Sequence, residues 1–177
     1  AKDRCACINC LLEAPYIEDA NNTVRDTIAE IMGKIGEKMA VARFVYLALD
    51  DTPGIIGSYV HMGDQIGVLV ELHTQTEAAA NNDEVKNLAK DIAMHIAWTN
   101  PDYMRREDIS EEDLAKEREI HRQWAIKEGK PEKVIDRIVE GRMNDFFSKV
   151  CLLEQAFIKD EELKIQDLVT NASKATG

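Results

Sequence analysis

The sequence carries nearly the same ten residues close to both of its ends. CLLEAPYIED spans positions 10–19 and CLLEQAFIKD spans positions 151–160, and six of the ten residues are identical. The similarity continues without a gap at an offset of 141, so that Val24 aligns with Ile165 and Gly36 with Gly177. In both copies the pattern predicts a short extended segment followed by a helix that ends at glycine. This duplication indicates a boundary between two related lobes, with CLLEAPYIED as the closing segment of one lobe and CLLEQAFIKD as that of the next.

The residues between the two copies alternate between helical and strand-like patterns. Apolar residues at three- and four-residue spacing predict one helix from Val24 to about residue 35 and another from about residue 85 to Trp98. Stretches rich in β-branched and aromatic residues predict strands at 39–49, 54–62 and 65–74. The short link at Gly63-Asp64 predicts that the last two strands form a hairpin.

Residues 107–149 have a different pattern. Ser110, followed three positions later by Asp113, predicts a capped helix start, and the helix should run from about residue 111 to 127. Gly129-Lys130-Pro131 is a tight break before a second helix, so the two helices should form an antiparallel hairpin. The first helix has few apolar positions, and we therefore expect the hairpin to project into solvent over much of its length. Trp124, near the tip, is expected to pack across the hairpin.

These elements together predict an α+β fold, in which a small antiparallel sheet is flanked by helices and an antiparallel helical hairpin is inserted. Residues 1–36 would be the end of a preceding lobe. Residues 37–106 and 150–177 would form the α+β core lobe, and residues 107–149 the hairpin insertion.

The composition excludes several classes of protein. A net charge of −11 argues against a nucleic-acid surface, which needs clustered lysine and arginine to neutralise phosphates. No apolar run approaches the roughly 20 residues of a membrane helix, and the start of the chain does not resemble a signal peptide. Nothing in the sequence directs the chain out of the cytoplasm.

The cysteines allow two interpretations. Cys5, Cys7 and Cys10 could supply three thiolates to a zinc ion, but no fourth ligand is evident and the spacing is not that of a zinc ribbon. The alternative is a set of reduced, partly buried thiols, since a free cysteine packs as a small hydrophobic residue. We favour the second interpretation and predict no metal site.

Residues with catalytic spacing are not evident. The sequence has no GxxxxGK[ST], GxSxG or HExxH motif, and its four histidines are scattered along the chain. His95 lies near the apolar stripe of its helix and is expected to be structural. We predict no catalytic residue, no cofactor and no direct nucleotide binding.

Five stretches of the sequence, in this order and spacing, resemble elongation factor Ts, the family of guanine-nucleotide exchange factors for elongation factor Tu. They are KIGEKMAVARF (34–44), GSYVHMGDQIGVLVEL (57–72), LAKDIAMHIAWTNPDYM (88–104), GKPEKVIDRIVEGRM (129–143) and CLLEQAFIKD (151–160). The resemblance implies small antiparallel sheets flanked by helices, with a helical hairpin before the VEGRM helix. It also implies a protein that binds elongation factor Tu and promotes GDP release by favouring the nucleotide-free form, without making or breaking a bond. The resemblance further implies the bacterial cytoplasm as its location, or alternatively the chloroplast stroma or the mitochondrial matrix.

The sequence departs from the family pattern at two places. The family's N-terminal helical domain, with its TGAGMMDCKKAL-like signature, is absent. The family's NCETDFVAR-like wedge, whose Asp-Phe pair disturbs the magnesium and phosphate region of the GTPase, aligns with residues 73–81, where Glu77 and Ala78 replace that pair. Alanine lacks most of the area that a phenyl ring buries. An alternative function is therefore that of a degenerate module that binds elongation factor Tu or the ribosome without exchange activity.

The resemblance also implies positions that contact the partner: Ile35, Gly36, His61, Ile158 and Lys159. Two of them have a structural alternative, since Ile35 could complete the apolar face of its helix and Ile158 could belong to the core. The hairpin would provide further contacts, either with the ribosome or in self-association. A third interpretation, an enzyme with an unrecognised site or a metal protein using CACINC, is the least favoured because no convergent set of titratable residues is visible.

Overall fold

The computed structural model describes residues 7–61, 63 and 65–176 of the chain. It is an α+β protein in which helices accompany small two-stranded antiparallel sheets, and this confirms the predicted fold class. The described residues fall into two compact units that divide between Ala48 and Leu49. The finer lobe boundaries that we derived from the sequence remain a prediction.

The first unit contains two helices and a short hairpin: α1 (Ile8–Glu13), β1 (Pro15–Tyr16), β2 (Asp19–Thr23) and α2 (Val24–Ile35). Thr23 caps α2, because its hydroxyl accepts the backbone N–H of Asp26 while the Asp26 carboxylate accepts the N–H of Thr23. Gly36 ends the helix with φ of 79°, a left-handed conformation that glycine adopts at little cost. The predicted helix from Val24 to a glycine is thereby confirmed.

The strand that we predicted at 39–49 is wrong. These residues have no regular secondary structure, and Val45 and Tyr46 are 76% and 52% exposed rather than buried on both faces. β-branched and aromatic residues suit a pleated surface, but they do not supply the neighbouring strand whose backbone groups a strand must bond. No ladder in the described part of the chain includes this segment.

The second unit contains most of the regular structure. Its elements are β3 (Gly54–Val60), β4 (Gly67–His73), α3 (Glu77–Ala80), α4 (Asp83–Thr99), α5 (Glu111–Lys127), α6 (Glu132–Val150), β5 (Ala156–Phe157), β6 (Asp160–Lys164) and α7 (Ile165–Thr176), with short 3-10 turns at Arg106–Asp108 and Leu152–Glu154. Within the described ranges, no helix is both long enough and apolar enough to cross a membrane.

The β3–β4 hairpin packs against α4 and forms one hydrophobic core. Its register runs from Gly54 opposite His73 to Val60 opposite Gly67, which confirms the predicted pairing of these strands. A Cβ at Gly57 would lie 2.7 Å from the Cβ of Ala89, so α4 approaches the sheet as closely as it does only because residue 57 is glycine. The buried members of this core are Val70, Ile92, Ala93, Leu152, Phe157 and Ile165.

Helices α5 and α6 form the predicted antiparallel hairpin. Arg122 pairs with Asp136 at 2.9 Å and Arg118 pairs with Glu140 at 3.4 Å, and this descending pairing requires helices that run in opposite directions. A second hydrophobic core lies along the hairpin and at its base, with Ile109, Ala125, Ile135, Val139, Met143, Phe147 and Cys151 buried. The guanidinium of Arg142 lies 4.5 Å from the ring centre of Trp124, which confirms that the tryptophan packs across the hairpin.

The duplication seen in the sequence has a structural counterpart. Each boundary of β5, β6 and α7 lies 141 positions after the matching boundary of β1, β2 and α2. The pairing registers also match, since Pro15 faces Thr23 as Ala156 faces Lys164. The two copies therefore repeat the same strand–turn–strand–helix unit, as the ten-residue similarity predicted.

Candidate partner-binding site

A buried polar network positions the segment that follows the hairpin. Nε2 of His95 lies 2.9 Å from Oε1 of Gln155, and Thr99 donates its hydroxyl to the same oxygen at 3.0 Å. The amide nitrogen of Gln155 donates to the backbone carbonyl of Lys149 at 2.6 Å. Since Oε1 of Gln155 is an acceptor, His95 donates from Nε2 and holds its proton there. This network ties α4 to the end of α6 and fixes Gln155, the residue directly before β5.

The His95 side chain is fully buried. Burial lowers the pKa of His95, and its hydrogen bond to Gln155 only partly opposes that effect. Nδ1 of His95 is buried without a hydrogen-bond partner in the described part of the chain. These observations confirm the structural role predicted for His95. Sequence reasoning missed Gln155, although its position directly after the matching CLLE, where the first copy has Ala14, was a visible signal.

Ile158 and Lys159 lie on the segment that this network positions. Ile158 is half-buried and packs against the core between β4, α4 and α7, which agrees with the alternative that we considered for it. Lys159 is exposed, and its ammonium group lies 2.8 Å from Oδ1 of Asp91 on α4. The surface therefore presents the apolar edge of Ile158 beside the Lys159–Asp91 ion pair.

His61 follows directly after β3. Its backbone N–H donates to the carbonyl of Ile66 at 2.8 Å, which closes the end of the hairpin. The hydroxyl of Tyr59 lies 3.2 Å from Nδ1 of the half-buried imidazole. Among the described residues, no hydrogen bond joins His61 to Ile158 or Lys159.

Ile35 and Gly36 belong to the first unit. Ile35 is the last residue of α2 and is 59% exposed, so it does not complete a buried apolar face. A Cβ added at Gly36 would meet no atom within 4 Å, and the left-handed backbone at this glycine ends the helix. The five positions that the resemblance implied are thus divided between the two units.

Glu77 and Ala78 occupy the first turn of α3. Thr76 caps this short helix by accepting the backbone N–H of Ala79 at 3.1 Å. Glu77 and Ala78 are exposed, whereas the next two alanines are buried. The exposed surface of the first turn of α3 therefore consists of the Ala78 methyl group and the Glu77 carboxylate, and neither residue supplies an aromatic ring.

A charged clamp holds the base of the hairpin. The guanidinium of Arg106 forms a two-pronged ion pair with Glu154 and lies 4.1 Å from the ring centre of Phe147. The hydrogen bonds from Arg106 lower the pKa of Glu154, and burial opposes them only in part. Neither residue was singled out from the sequence, because nothing in the local pattern indicates that positions 48 residues apart meet.

The cysteines differ from our expectation of partly buried thiols. Cys151 is buried, but Cys7 and Cys10 are both exposed, and that part of the expectation is wrong. Within the described ranges, no group of three or more histidine, cysteine or acidic residues could hold a metal ion. The three-thiolate set that we considered includes Cys5, which lies outside the described residues.

Together these features define an α+β protein built from a duplicated sheet-and-helix unit with an inserted helical hairpin. A comparison with protein families agrees with this description, because the model of the family Elongation factor TS matches residues 2–176. The chain belongs to the elongation factor Ts family.

Individual proteins similar to this chain are also named elongation factor Ts. The chain is 43% identical over 167 residues to an elongation factor Ts of Clostridium novyi, a match that covers 94% of this chain and 53% of the relative. It is 45% identical over 154 residues to an elongation factor Ts of Carboxydothermus hydrogenoformans, covering 87% of this chain and 69% of the relative. A relative in Halothermothrix orenii is 41% identical, with 94% and 54% covered. The chain thus spans between about half and two thirds of the length of these relatives.

Proposed function

We propose that this chain binds elongation factor Tu and promotes GDP release by favouring the nucleotide-free form. Membership of the elongation factor Ts family over residues 2–176 is the observation that carries the proposal. A protein that binds the empty form of a GTPase more tightly than the GDP form must weaken GDP binding by the same factor. The function needs complementary surfaces and no bond-making chemistry, so we regard the chain as an exchange factor of the bacterial cytoplasm rather than an enzyme.

The surface of the second unit that best suits such a partner lies around Ile158 and Lys159. The buried network of Gln155 and His95 places these residues, and the ion pair with Asp91 orients the lysine. A half-buried isoleucine beside an exposed charge is typical of the edge of a protein interface. His61 at the end of β3, and Ile35 with Gly36 in the first unit, complete the proposed set of contacts.

A second candidate function is docking on elongation factor Tu without nucleotide exchange. It is favoured by Ala78, which is exposed on α3 and offers only a methyl group where the family's wedge carries phenylalanine. An aromatic side chain can bury roughly 150–250 Å², and an alanine cannot displace groups around a bound nucleotide to the same extent. The helical hairpin would then serve as an arm that contacts the ribosome or a second copy.

Release of a fluorescent GDP analogue from elongation factor Tu separates the two functions. Substoichiometric amounts of this chain should accelerate the release severalfold if the chain is an exchange factor. Binding in a pull-down without acceleration would reject exchange and leave docking. An Ile158→Ala, Lys159→Ala double variant should weaken binding, with Lys174→Ala, a basic residue near the end of α7, as a control that should not. Absence of any binding by the unmodified chain would reject both functions.

A further inference from the structure

Two cysteines that the proposed function does not use lie side by side on the first unit. Sγ of Cys7 is 2.9 Å from Sγ of Cys10, and both side chains are exposed. The backbone N–H of Cys10 donates to Sγ of Cys7 at 3.3 Å, with Cys7 in an extended conformation just before α1. Cys7 is the N-cap residue of α1, and Cys10 is the third residue of that helix. An N-cap side chain that accepts the N–H of the third helical residue must point toward that residue. The backbone therefore holds both sulfurs on the same side of the turn.

The two thiols also differ chemically from the buried one. Hydrogen bonds from the thiol and the backbone N–H of Cys10 lower the pKa of Cys7, so more of it is thiolate near neutral pH. The thiolate is the form that attacks a disulfide. Burial instead raises the pKa of Cys151 and keeps reagents away from it. The arrangement thus combines an accessible attacking sulfur with a second sulfur next to it.

We propose that Cys7 and Cys10 are a reversible dithiol–disulfide pair that reacts with a low-molecular-weight disulfide such as oxidised glutathione. The Cys7 thiolate attacks one sulfur of that disulfide, which forms a mixed disulfide and releases one thiolate. Cys10 then loses its proton to solvent and attacks Sγ of Cys7, which expels the second thiolate and closes the Cys7–Cys10 bond. The protein gives up two electrons and two protons, and one small disulfide becomes two thiols.

The geometry favours closure without rebuilding the helix. The sulfurs must approach each other by only about 0.9 Å to reach the bonded distance of about 2.05 Å. The loop that the bond closes spans about four residues, and a loop this short adds little to stability because it removes little entropy from the unfolded chain. We therefore assign the pair to redox modification and not to structural cross-linking.

Mass spectrometry of the chain in glutathione buffers tests this proposal. The chain is equilibrated with a chelator at rising ratios of oxidised to reduced glutathione, quenched in acid, denatured and alkylated. The chain should lose two hydrogen atoms and two alkylation sites as the ratio rises, while Cys151 remains alkylated. Trypsin leaves Cys5, Cys7 and Cys10 in one peptide, residues 5–25. Variants are therefore needed to identify which two of these cysteines form the disulfide.

The variants distinguish the proposed pair from any pairing of Cys5. Cys5→Ser should form the disulfide at the same redox ratio as the unmodified chain. Cys10→Ser should accumulate a single glutathione adduct on Cys7, because the resolving sulfur is missing, and Cys7→Ser should form no intramolecular bond. Loss of the disulfide in Cys5→Ser would overturn the proposal. Two results with the unmodified chain would also overturn it: disulfides that form only between molecules, or four alkylated cysteines at every ratio of oxidised to reduced glutathione.

Discussion

At the scale of single residues, Gln155 shows how one side chain gives a repeated segment a new role. The aligned residue of the first copy is Ala14, and the backbone carbonyls of both residues accept the N–H of the first helical residue that follows. Only Gln155 also reaches His95 and Thr99 on α4. Its amide oxygen joins the end of α6 to two residues of α4 that lie 60 and 56 positions earlier in the chain.

The buried histidine predicts how stability depends on pH. The pKa of His95 is lower in the folded state than its ordinary value of about 6.5. At pH values below about 6.5 the unfolded chain therefore binds more protons than the folded chain. The free energy of unfolding should therefore fall as the pH falls from about 6.5 toward the lowered pKa of the folded state. Urea unfolding at intervals between about pH 7.5 and 5.5, above the ordinary carboxylate range, measures this slope.

A His95→Gln variant provides the control for this measurement. It should be less stable than the unmodified chain at about pH 7.5, because it loses the ring's packing, and its stability should change less over the same pH interval. An equal slope in both proteins would show that another group is responsible.

Gly57 predicts a steric effect at a second residue. Gly57→Ala would place a Cβ 2.7 Å from the Cβ of Ala89 and 3.0 Å from its backbone carbon, so α4 must move off the sheet. We expect a destabilisation of about 1–3 kcal/mol, the usual range for overpacking. Gly67→Ala, on the partner strand with no atom near the new methyl group, should change the unfolding free energy by much less. Equal effects in urea unfolding would contradict the close approach.

At the scale of elements, the two copies differ in what surrounds them and not in their internal geometry. Ile165 at the start of α7 is fully buried under the second unit's core, while Val24 at the start of α2 is only half-buried. One capping contact is shared, since Asp26 and Asp167 accept the N–H groups of Thr23 and Lys164 at 3.1 and 3.0 Å, whereas the cap from the Thr23 hydroxyl has no counterpart at Lys164. Local sequence therefore determines the repeated unit, and neighbouring elements determine its burial.

The clamp at the base of the hairpin predicts a measurable coupling between elements. A double-mutant cycle of Arg106→Ala and Glu154→Ala should give a coupling energy of about 1 kcal/mol, because the pair is two-pronged and Glu154 is 21% exposed. Its partial exposure to solvent keeps the value from being larger. Thermal or urea unfolding of the four proteins measures it.

The exposed pair Arg118 and Glu140 on the hairpin is the matched comparison. Its atoms are 3.4 Å apart and both side chains are about half exposed or more, so its cycle should give roughly 0–0.5 kcal/mol. A coupling energy for Arg118 and Glu140 as large as that for Arg106 and Glu154 would show that burial and two-pronged geometry do not strengthen the clamp.

At the scale of the whole molecule, the chain combines a unit that repeats part of the fold with a unit that holds the hairpin and both buried cores. The proposed contacts with elongation factor Tu are divided between them. Glu77 and Ala78, which the resemblance aligns with the family's wedge, lie in the second unit, on a helix of four residues whose first two side chains are exposed. If the proposed function holds, exchange activity should depend on what this small helix presents to the partner.

Under the proposed function, an aromatic residue at the wedge-aligned position should increase exchange. A Glu77→Asp, Ala78→Phe variant adds an aromatic ring at an exposed position, and we expect it to release fluorescent GDP from elongation factor Tu severalfold faster than the unmodified chain. Glu77→Asp alone is the control and should leave the rate near its starting value. Unchanged release by a double variant that still binds would show that α3 does not reach the nucleotide region.

Much of this protein was determined by local sequence. The hydrophobic periodicity, the cap at Ser110 and the glycines at chain turns predicted the helices, the β3–β4 pairing and the antiparallel hairpin, because such signals act within one or two turns of the chain. The duplicated segment predicted a duplicated structure for the same reason. The five family motifs were sufficient to indicate elongation factor Ts.

Tertiary structure alone decided which residues meet and which stay exposed. The stretch at 39–49 has the composition of a strand, yet strand formation depends on a partner that composition does not specify. The bonds from Gln155 to His95, from Arg106 to Glu154 and from Lys159 to Asp91 join positions that are 60, 48 and 68 residues apart. Local sequence determines helices, turns and repeats because their bonds are local. Burial, charge pairing and the surface offered to a partner depend on contacts that form only when distant parts of the chain pack together.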